Sequence, residues 1–217
     1  MKIVQCWDDG VTSDIRLIEL LRTYKATASF NLNVSRHDPE RKLGWEHKGT
    51  QVSILGRDEL VSVYEGFTIA NHSLTHPHLE AIPVEAARYE ISENRKQLQD
   101  LFQQPIDGFA YPFGTYNDEV KTLLEEEGHI YGRTVKNALP TLPPPEGPFA
   151  FHPTCKFNAE DFQEKYQKAK QESGIFYFWG HSYELINEEM WVAFENRIKG
   201  ITEDPDSEWA EICDLFR

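Results

Sequence analysis

A chain of 217 residues is long enough for one large domain with its own core. Its 40% hydrophobic and 12% aromatic content fits a globular protein, and no apolar run approaches the ~20 residues that span a bilayer. The formal net charge of −14 repels phosphate backbones and anionic lipid surfaces, so neither nucleic acid nor a membrane is an expected partner; acidic residues spread over helices read as solubility.

Strand-like and helix-like segments alternate. Lys2 to Trp7 is an apolar strand, and with no long apolar run followed by small residues it does not read as a signal peptide, which places the protein in the cytoplasm. Three well-separated cysteines, Cys6, Cys155 and Cys213, argue against a disulfide framework and agree with a reducing compartment. Thr12 to Tyr24 carries a helical stripe of Ile15, Leu17, Ile18, Leu20 and Leu21. Ala26 to Leu32 is the second strand, Arg57 to Tyr64 a helix, and Phe67 to Ala70 a strand ending at Asn71 and His72. Pro83 to Phe102 is the clearest helix, with Val84, Ala87, Ile91, Leu98 and Leu101 on one face. Phe109 to Tyr111 is a strand stopped by Pro112. Asn117 caps a helix that runs to Glu127 and ends at Gly128. Ile130 to Val135 is a strand, Ala159 to Glu172 a polar helix, and Ile175 to Trp179 an aromatic strand. Two C-terminal helices are expected near Asn187 to Lys199 and Ser207 to Phe216. The stretches 35–56 and 138–147 read as long loops of the kind that form lids or binding loops.

Strand–helix alternation implies an α/β fold with parallel strands, here a single domain over 1–217 with C-terminal helices at 187–216. The residues with chemical potential all follow strands: Asp8 and Asp9, His72, Pro112 to Gly114, and His181. That is the rim where parallel α/β barrels assemble their sites. His72 and His76 are spaced i, i+4, which on a helical turn puts both imidazoles on one side, a geometry suited to one metal. Asp8 and Asp9, if extended, point in opposite directions, one toward a metal and the other toward the water beside it. Without the histidines, Asp8-Asp9-Gly10 would read simply as a turn.

These segments resemble the polysaccharide deacetylases with the NodB homology domain, carbohydrate esterase family 4. The family's opening Thr-Phe-Asp-Asp-Gly is Cys6-Trp7-Asp8-Asp9-Gly10 here. Its His-Ser/Thr-x-x-His-Pro is complete as His72-Ser73-Leu74-Thr75-His76-Pro77. Its Arg-x-Pro-Tyr/Phe-Gly is Ala110-Tyr111-Pro112-Phe113-Gly114, and its Leu-x-His is Trp179-Gly180-His181. The resemblance spans roughly the first 185 residues.

It implies a distorted (β/α) barrel of about seven parallel strands and a metal-dependent hydrolase that removes an N-acetyl group from an amino sugar or glycoconjugate. It assigns Asp8 as general base, His181 as general acid, and Asp9, His72 and His76 as metal ligands, with the Phe113 N–H helping to hold the oxyanion. Zinc suits two histidines and an aspartate, though Co²⁺, Ni²⁺ and Mn²⁺ also take such donors. Tyr111, Phe113 and Trp179, with Trp45, are candidate substrate-binding aromatics.

Two departures stand out. Ala110 lacks the family arginine that holds the base, for which Arg133, near another strand end, is a candidate substitute. Trp179 replaces a small apolar residue of the acyl pocket. No family partner for His181 can be placed, and Glu184 is a candidate. The resemblance leaves two rivals: the same site could act on non-sugar amides or O-acetyl esters, or the missing arginine could mark an inactive sugar-binding domain. Neither the oligomeric state nor the sugar is legible.

Overall fold

Residues 1–217 are all described by the computed structural model. In chain order the elements are β1 (Lys2–Asp8), α1 (Asp14–Thr23), β2 (Ser29–Leu32), β3 (Lys42–His47), β4 (Thr50–Ile54), α2 (Leu60–Val63), β5 (Thr68–Asn71), α3 (Val84–Phe102), β6 (Gly108–Ala110), α4 (Asp118–Glu126), β7 (Tyr131–Arg133), β8 (Cys155–Lys156), α5 (Phe162–Glu172), β9 (Ile175–Gly180), α6 (Glu188–Glu203) and β10 (Glu208–Trp209).

Seven parallel strands follow one another in a sheet in the order β7-β6-β5-β2-β1-β9-β8, and a short eighth, β10, pairs with β1 off this path. The strands are apolar on both faces, as parallel strands covered by helices must be; from Ile3 onward every residue of β1 is buried. The sheet curls until its two ends meet through one segment. Phe151 N donates to Gly132 O (2.9 Å) beside β7, while Thr154 N donates to Tyr177 O (2.7 Å) and Phe157 N to Trp179 O (2.8 Å) beside β9. The result is the distorted (β/α) barrel that the resemblance implied. Trp7 locks the end of β1 in the core, fully buried, with its ring 5.1 Å from Phe157 and 5.3 Å from Phe194. Truncating such a residue typically costs about 3–5 kcal/mol, so the carboxylates that follow it sit on a rigid base.

The caps expected around α4 form. The Asn117 side chain accepts from Val120 N (2.9 Å), and Gly128 turns the chain after α4 with φ +77°. Two expectations fail. The stretch 35–56 is not only loop: it holds the antiparallel hairpin β3–β4, whose turn, Lys48-Gly49, has positive φ at both positions (48° and 79°), the requirement of the tight turns that match strand twist. Ser207 to Phe216 is not a helix. Glu208 N donates to Met1 O and Ala210 N to Ile3 O, both 2.9 Å, making β10 a parallel partner of the start of β1, and only a single 3₁₀ turn, Cys213–Leu215, follows. A ten-residue helix is marginal alone, and pairing with an open stretch of β1 wins. The expected helix at Arg57 to Tyr64 shortens to one 3₁₀ turn and the four residues of α2. The stretch 138–147 stays irregular, its flanks tied by the Lys136–Glu146 ion pair (2.6 Å).

Candidate active site

β1 delivers Asp8 to the strand-end rim, and there the chain turns sharply. Asp9 has φ +83° and Gly10 φ +67°. A Cβ on Gly10 would lie 2.5 Å from the His37 ring, so only glycine fits this turn. The turn also alters the expected geometry of the two carboxylates. They do not diverge: His181 Nε2 lies 3.7 Å from Asp8 Oδ2 and 3.8 Å from Asp9 Oδ2, so both face one cavity.

His72 follows β5 directly. Its Nδ1 donates to the Ala110 carbonyl (2.7 Å); a carbonyl only accepts, which puts the proton on Nδ1 and leaves Nε2 its lone pair. His76 is not on a helical turn with it. Ser73 (φ +63°) and His76 (φ +67°) are left-handed, and the kinked loop brings the rings within 4.7 Å of each other. Buried amides hold this shape: Asn33 Nδ2 donates to the carbonyls of His72 and Ser73, and Asn71 Oδ1 accepts from Ser73 N (2.9 Å).

One donor atom from each of Asp9, His72 and His76 lies within 4.8 Å of the others. Burial pushes the pKa of both histidines down, His76 to about 4, so both rings are neutral, the form that binds metal. One carboxylate and two neutral imidazoles fit an open divalent-metal site with three protein ligands. Arg36, unnoticed in the sequence, donates to Asp9 Oδ1 (2.9 Å) and lies over the Trp45 ring at 5.1 Å; such outer partners fix the orientation of a ligating carboxylate.

Arg133, at the end of β7, reaches across the barrel. Its Nη2 lies 2.5 Å from Asp8 Oδ2, with both side chains at most 2% exposed, and Asn31 Nδ2 donates to Asp8 Oδ1 (2.7 Å). Arg133 is also the direct register partner of Ala110 across β6 and β7. The guanidinium missing at 110 therefore enters from the neighbouring strand. Burial pushes the Asp8 carboxyl up, but Arg133, then His72, His181 and Asn31, outweigh it and hold the group well below the usual carboxylate range.

His181 follows β9. Its Nδ1 pairs with Glu184 Oε1 (3.0 Å), and the same oxygen accepts from Lys156 Nζ (2.6 Å). Burial favours the neutral ring, but the Glu184 contact, Asp8 and Asp9 outweigh it and raise the imidazole pKa. The cavity these residues share has a volume of about 470 Å³ and is also walled by Phe113, Trp179 and Tyr183.

The aromatics divide. Phe113, at φ +58° and 54% exposed, stands at the rim with its ring stacked on His78 (3.9 Å, 13°). Trp179 has Arg133 at 4.8 Å and Lys156 at 5.4 Å from its ring centroid. Tyr111 also borders this cavity, from the inner side. It is fully buried, with its hydroxyl donating to Phe149 O (2.7 Å) and its ring stacked on Tyr116 (4.8 Å). Trp45 sits on the hairpin, edge-on to Tyr183 at 5.2 Å. The remaining loop histidines stand apart from the ligand trio: His37 Nδ1 donates to Leu55 O (2.8 Å), His47 packs on Tyr183, and His152 pairs with Thr134 (2.6 Å). A further cavity of about 420 Å³ between α5 and α6, lined by Tyr166, Arg197 and Asp204 among others, brings together no acid–base or ligand set.

Comparison with known proteins bears on the family and the fold. Residues 1–132 match the polysaccharide deacetylase family model. YxkH of Bacillus subtilis (strain 168), whose name assigns it to the polysaccharide deacetylases, is 21% identical over 130 residues, covering 60% of this chain and 43% of its own; the match thus spans less than half of that relative. Among solved structures, a family 4 carbohydrate esterase from Streptomyces lividans in complex with acetate superposes with a TM-score of 0.61 at 15% identity, over 95% of this chain and 90% of that one. A mutant of BA3943, described as a family 4 pseudoenzyme with restored enzymatic activity, gives 0.63 at 14%, over 100% and 67%. At such identities the structures speak for the fold. The family match covers 132 of 217 residues, and the chain belongs to the polysaccharide deacetylase family.

Proposed function

We propose that the chain is a metal-dependent hydrolase that removes an N-acetyl group from an amino sugar or its conjugate. The observation that carries this reading is the meeting of three parts in one cavity: an ionised Asp8, a ring at His181 with a raised pKa, and the Asp9–His72–His76 donor set. A divalent ion held by that set, most suitably zinc and otherwise cobalt, nickel or manganese, would polarise the acyl oxygen and lower the pKa of a water on it from ~15.7 toward ~7.

The chain's own residues supply the proton traffic. Asp8 accepts the proton of the attacking water. Its low pKa makes it a weak base but keeps it ionised whenever the enzyme works, and Arg133 fixes its orientation. The developing oxyanion is met by the Phe113 N–H, presented by the left-handed turn after β6. His181, charged and oriented by Glu184, donates its Nε2 proton to the departing nitrogen. Amide hydrolysis needs this last step because an unprotonated amide nitrogen is a poor leaving group. Positioned acid and base steps each contribute typically ~10²–10⁴-fold.

The inactive-domain rival drew on Ala110. Arg133 weakens it by supplying a guanidinium to Asp8 from the adjacent strand. The test is elemental analysis of the wild type and of His72→Ala/His76→Ala after zinc loading, with acetate release measured on N-acetylated and O-acetylated sugars. About one metal per chain, lost in the variant, with acetate released from the N-acetyl sugar, is the expected result. Acetate from the O-acetyl sugar alone would move the activity to esters. Sugar binding without turnover in metal-loaded protein would revive the inactive-domain reading.

A further inference from the structure

Each carboxylate in the cavity carries its own guanidinium. Asp8 has Arg133 at 2.5 Å, and Asp9 has Arg36, whose Nη1 donates to Asp9 Oδ1 (2.9 Å). Arg133 comes with the barrel, on β7. Arg36 instead ends the 3₁₀ turn Val34–Arg36 beyond β2. Its guanidinium lies between Asp9 and the Trp45 ring, 5.1 Å from the centroid, within the range in which a cation is attracted to an aromatic face. Ties on either side leave this arm little slack: Val34 N donates to Asn94 Oδ1 (2.8 Å), and His37 Nδ1 to Leu55 O (2.8 Å). Trp45 is set as firmly. Its carbonyl accepts from Gln51 Nε2 (3.0 Å), and its ring meets Tyr183 edge-on. Behind it, β4 is fastened to the turn after Asp9, with Leu55 N donating to Gly10 O (3.1 Å) and Thr12 N to Ser53 O (2.8 Å). The β3–β4 hairpin thus steadies a positive charge on the one acidic member of the donor set.

The consequence is electrostatic. His72 and His76 are neutral, so Asp9 is the only charged donor that the trio offers a cation. Arg36 cancels that charge as Arg133 cancels that of Asp8. A divalent ion must therefore share Asp9 with a neighbouring cation. Asp9 is buried, where water and salt screen such a repulsion little. The usual gain from an outer partner is orientation of the ligand, but the backbone already supplies it: Asp9 is locked at φ +83° ahead of Gly10, where a Cβ would strike the His37 ring. We propose that Arg36, steadied by Trp45 of the hairpin, sets the metal affinity of the centre and holds it below what Asp9, His72 and His76 would reach alone. Arg36 acts through Asp9 and is a positioning residue, not a ligand. The inference rests on the reading of those three residues as a metal site and deepens it: the hairpin governs how readily the centre loads and releases its ion.

The experiment measures zinc affinity on metal-stripped protein, by competition with a chromophoric chelator, for the native chain, Arg36→Met, Arg36→Lys and Trp45→Leu. Arg36→Met removes the charge and keeps most of the volume. It should bind zinc roughly ten- to a hundredfold tighter, the scale on which outer partners of metal ligands act. Arg36→Lys keeps the charge and should stay close to native. Trp45→Leu frees the guanidinium to swing toward solvent and should fall between native and Arg36→Met; it also carries the test should Arg36→Met fail to fold. The zinc-induced rise in Tm gives the ranking independently, because tighter binding to the folded chain stabilises it more. Weaker zinc binding in Arg36→Met would reduce Arg36 to an aligner of Asp9 and overturn the inference, as would equal tightening by Arg36→Lys. Native affinity in Trp45→Leu would strike the hairpin from it. Zinc binding that no variant alters sinks the inference and leaves the metal site standing. No zinc bound by any of the four proteins removes the metal-dependent reading itself, and the inference with it.

Discussion

Replacing Arg133 with methionine keeps most of the side-chain volume and removes the charge. Asp8 would then be a fully buried carboxylate whose nearest remaining donor is Asn31 at 2.7 Å, with the His181 ring at 3.7 Å. Breaking a buried ion pair by removing one partner costs about 3–5 kcal/mol, because the other charge is left uncompensated. For a chain of this length each kcal/mol shifts Tm by roughly 2–4 °C, so the melting temperature should fall by roughly 6–20 °C. Acetate release should fall as well, up to the ~10²–10⁴-fold worth of a positioned base, since the carboxylate loses both its orientation and its hold on the ionised state.

The register supplies a rescue. Ala110 and Arg133 pair directly across β6 and β7, and paired residues in a parallel sheet project to the same face. Ala110→Arg combined with Arg133→Ala should therefore recover activity relative to Arg133→Ala alone. Differential scanning calorimetry and acetate assays on the four proteins read this out. A methionine variant with native Tm and native turnover would refute the electrostatic role assigned to Arg133.

Three further outcomes are expected. Glu184→Gln removes the leading contribution that raises the His181 pKa. A raised histidine is charged below its folded pKa and loses the proton as pH rises through it, so the alkaline limb of kcat/KM should move to lower pH; an unmoved limb would take Glu184 out of that role. Asp14 accepts from Tyr64 (2.6 Å) and from Ser182, yet burial pushes its carboxyl up from 3.8 to about 7. A carboxyl raised on folding stabilises the fold at low pH and loses that contribution as pH climbs from about 4 through 7, here by about 4 kcal/mol at 1.36 kcal/mol per unit. Urea denaturation should show the wild type weakening from pH 5 to pH 8 relative to Asp14→Asn, and parallel pH profiles of the two proteins would contradict it. Trp179→Leu opens the wall beside Arg133 and Lys156, so turnover of propionyl and butyryl analogues should rise relative to acetyl; an unchanged acyl range would place the acyl group elsewhere.

The parts of the site that were legible in the sequence are those encoded within a few residues of a strand end. Asp8, Asp9, His72, His76 and His181 reach one cavity because parallel strands end on one rim. Even there the local mechanics differed from the reading: the His72–His76 spacing works through left-handed backbone at Ser73 and His76, and the two aspartates converge because Asp9 is not extended. The hairpin carried a readable signal, Lys48-Gly49 between two strand-like runs, that the charged composition of 35–56 masked. Ser207 to Phe216 had apolar spacing that mimics a helix, whereas its pairing with β1 is a tertiary event with no local trace. Tyr111 reads by position as a binding aromatic; it borders the cavity while its ring packs on Tyr116 and Phe109.

Arg133 and Glu184 are named in the sequence as candidates, but what joins Arg133 to Asp8 is the barrel and not local spacing. Arg133 and Asp8 are 125 positions apart, and they meet because a curled sheet brings its far strand across the interior. Asn31, by contrast, is the register partner of Asp8 on the neighbouring strand β2, and Arg36 and Lys156 lie 27 and 28 positions from the groups they hold. Motif spacing finds ligands, since these sit together at one strand end, but it cannot find a counter-ion that arrives through the middle of the fold. Register narrows that search. When a side chain needed on the inner face is missing at one strand position, the residue paired with it on the next parallel strand points to the same face about 4.8 Å away. A long, flexible arginine bridges that distance with little rearrangement, so Arg133 reaches the Asp8 carboxylate from the position paired with Ala110.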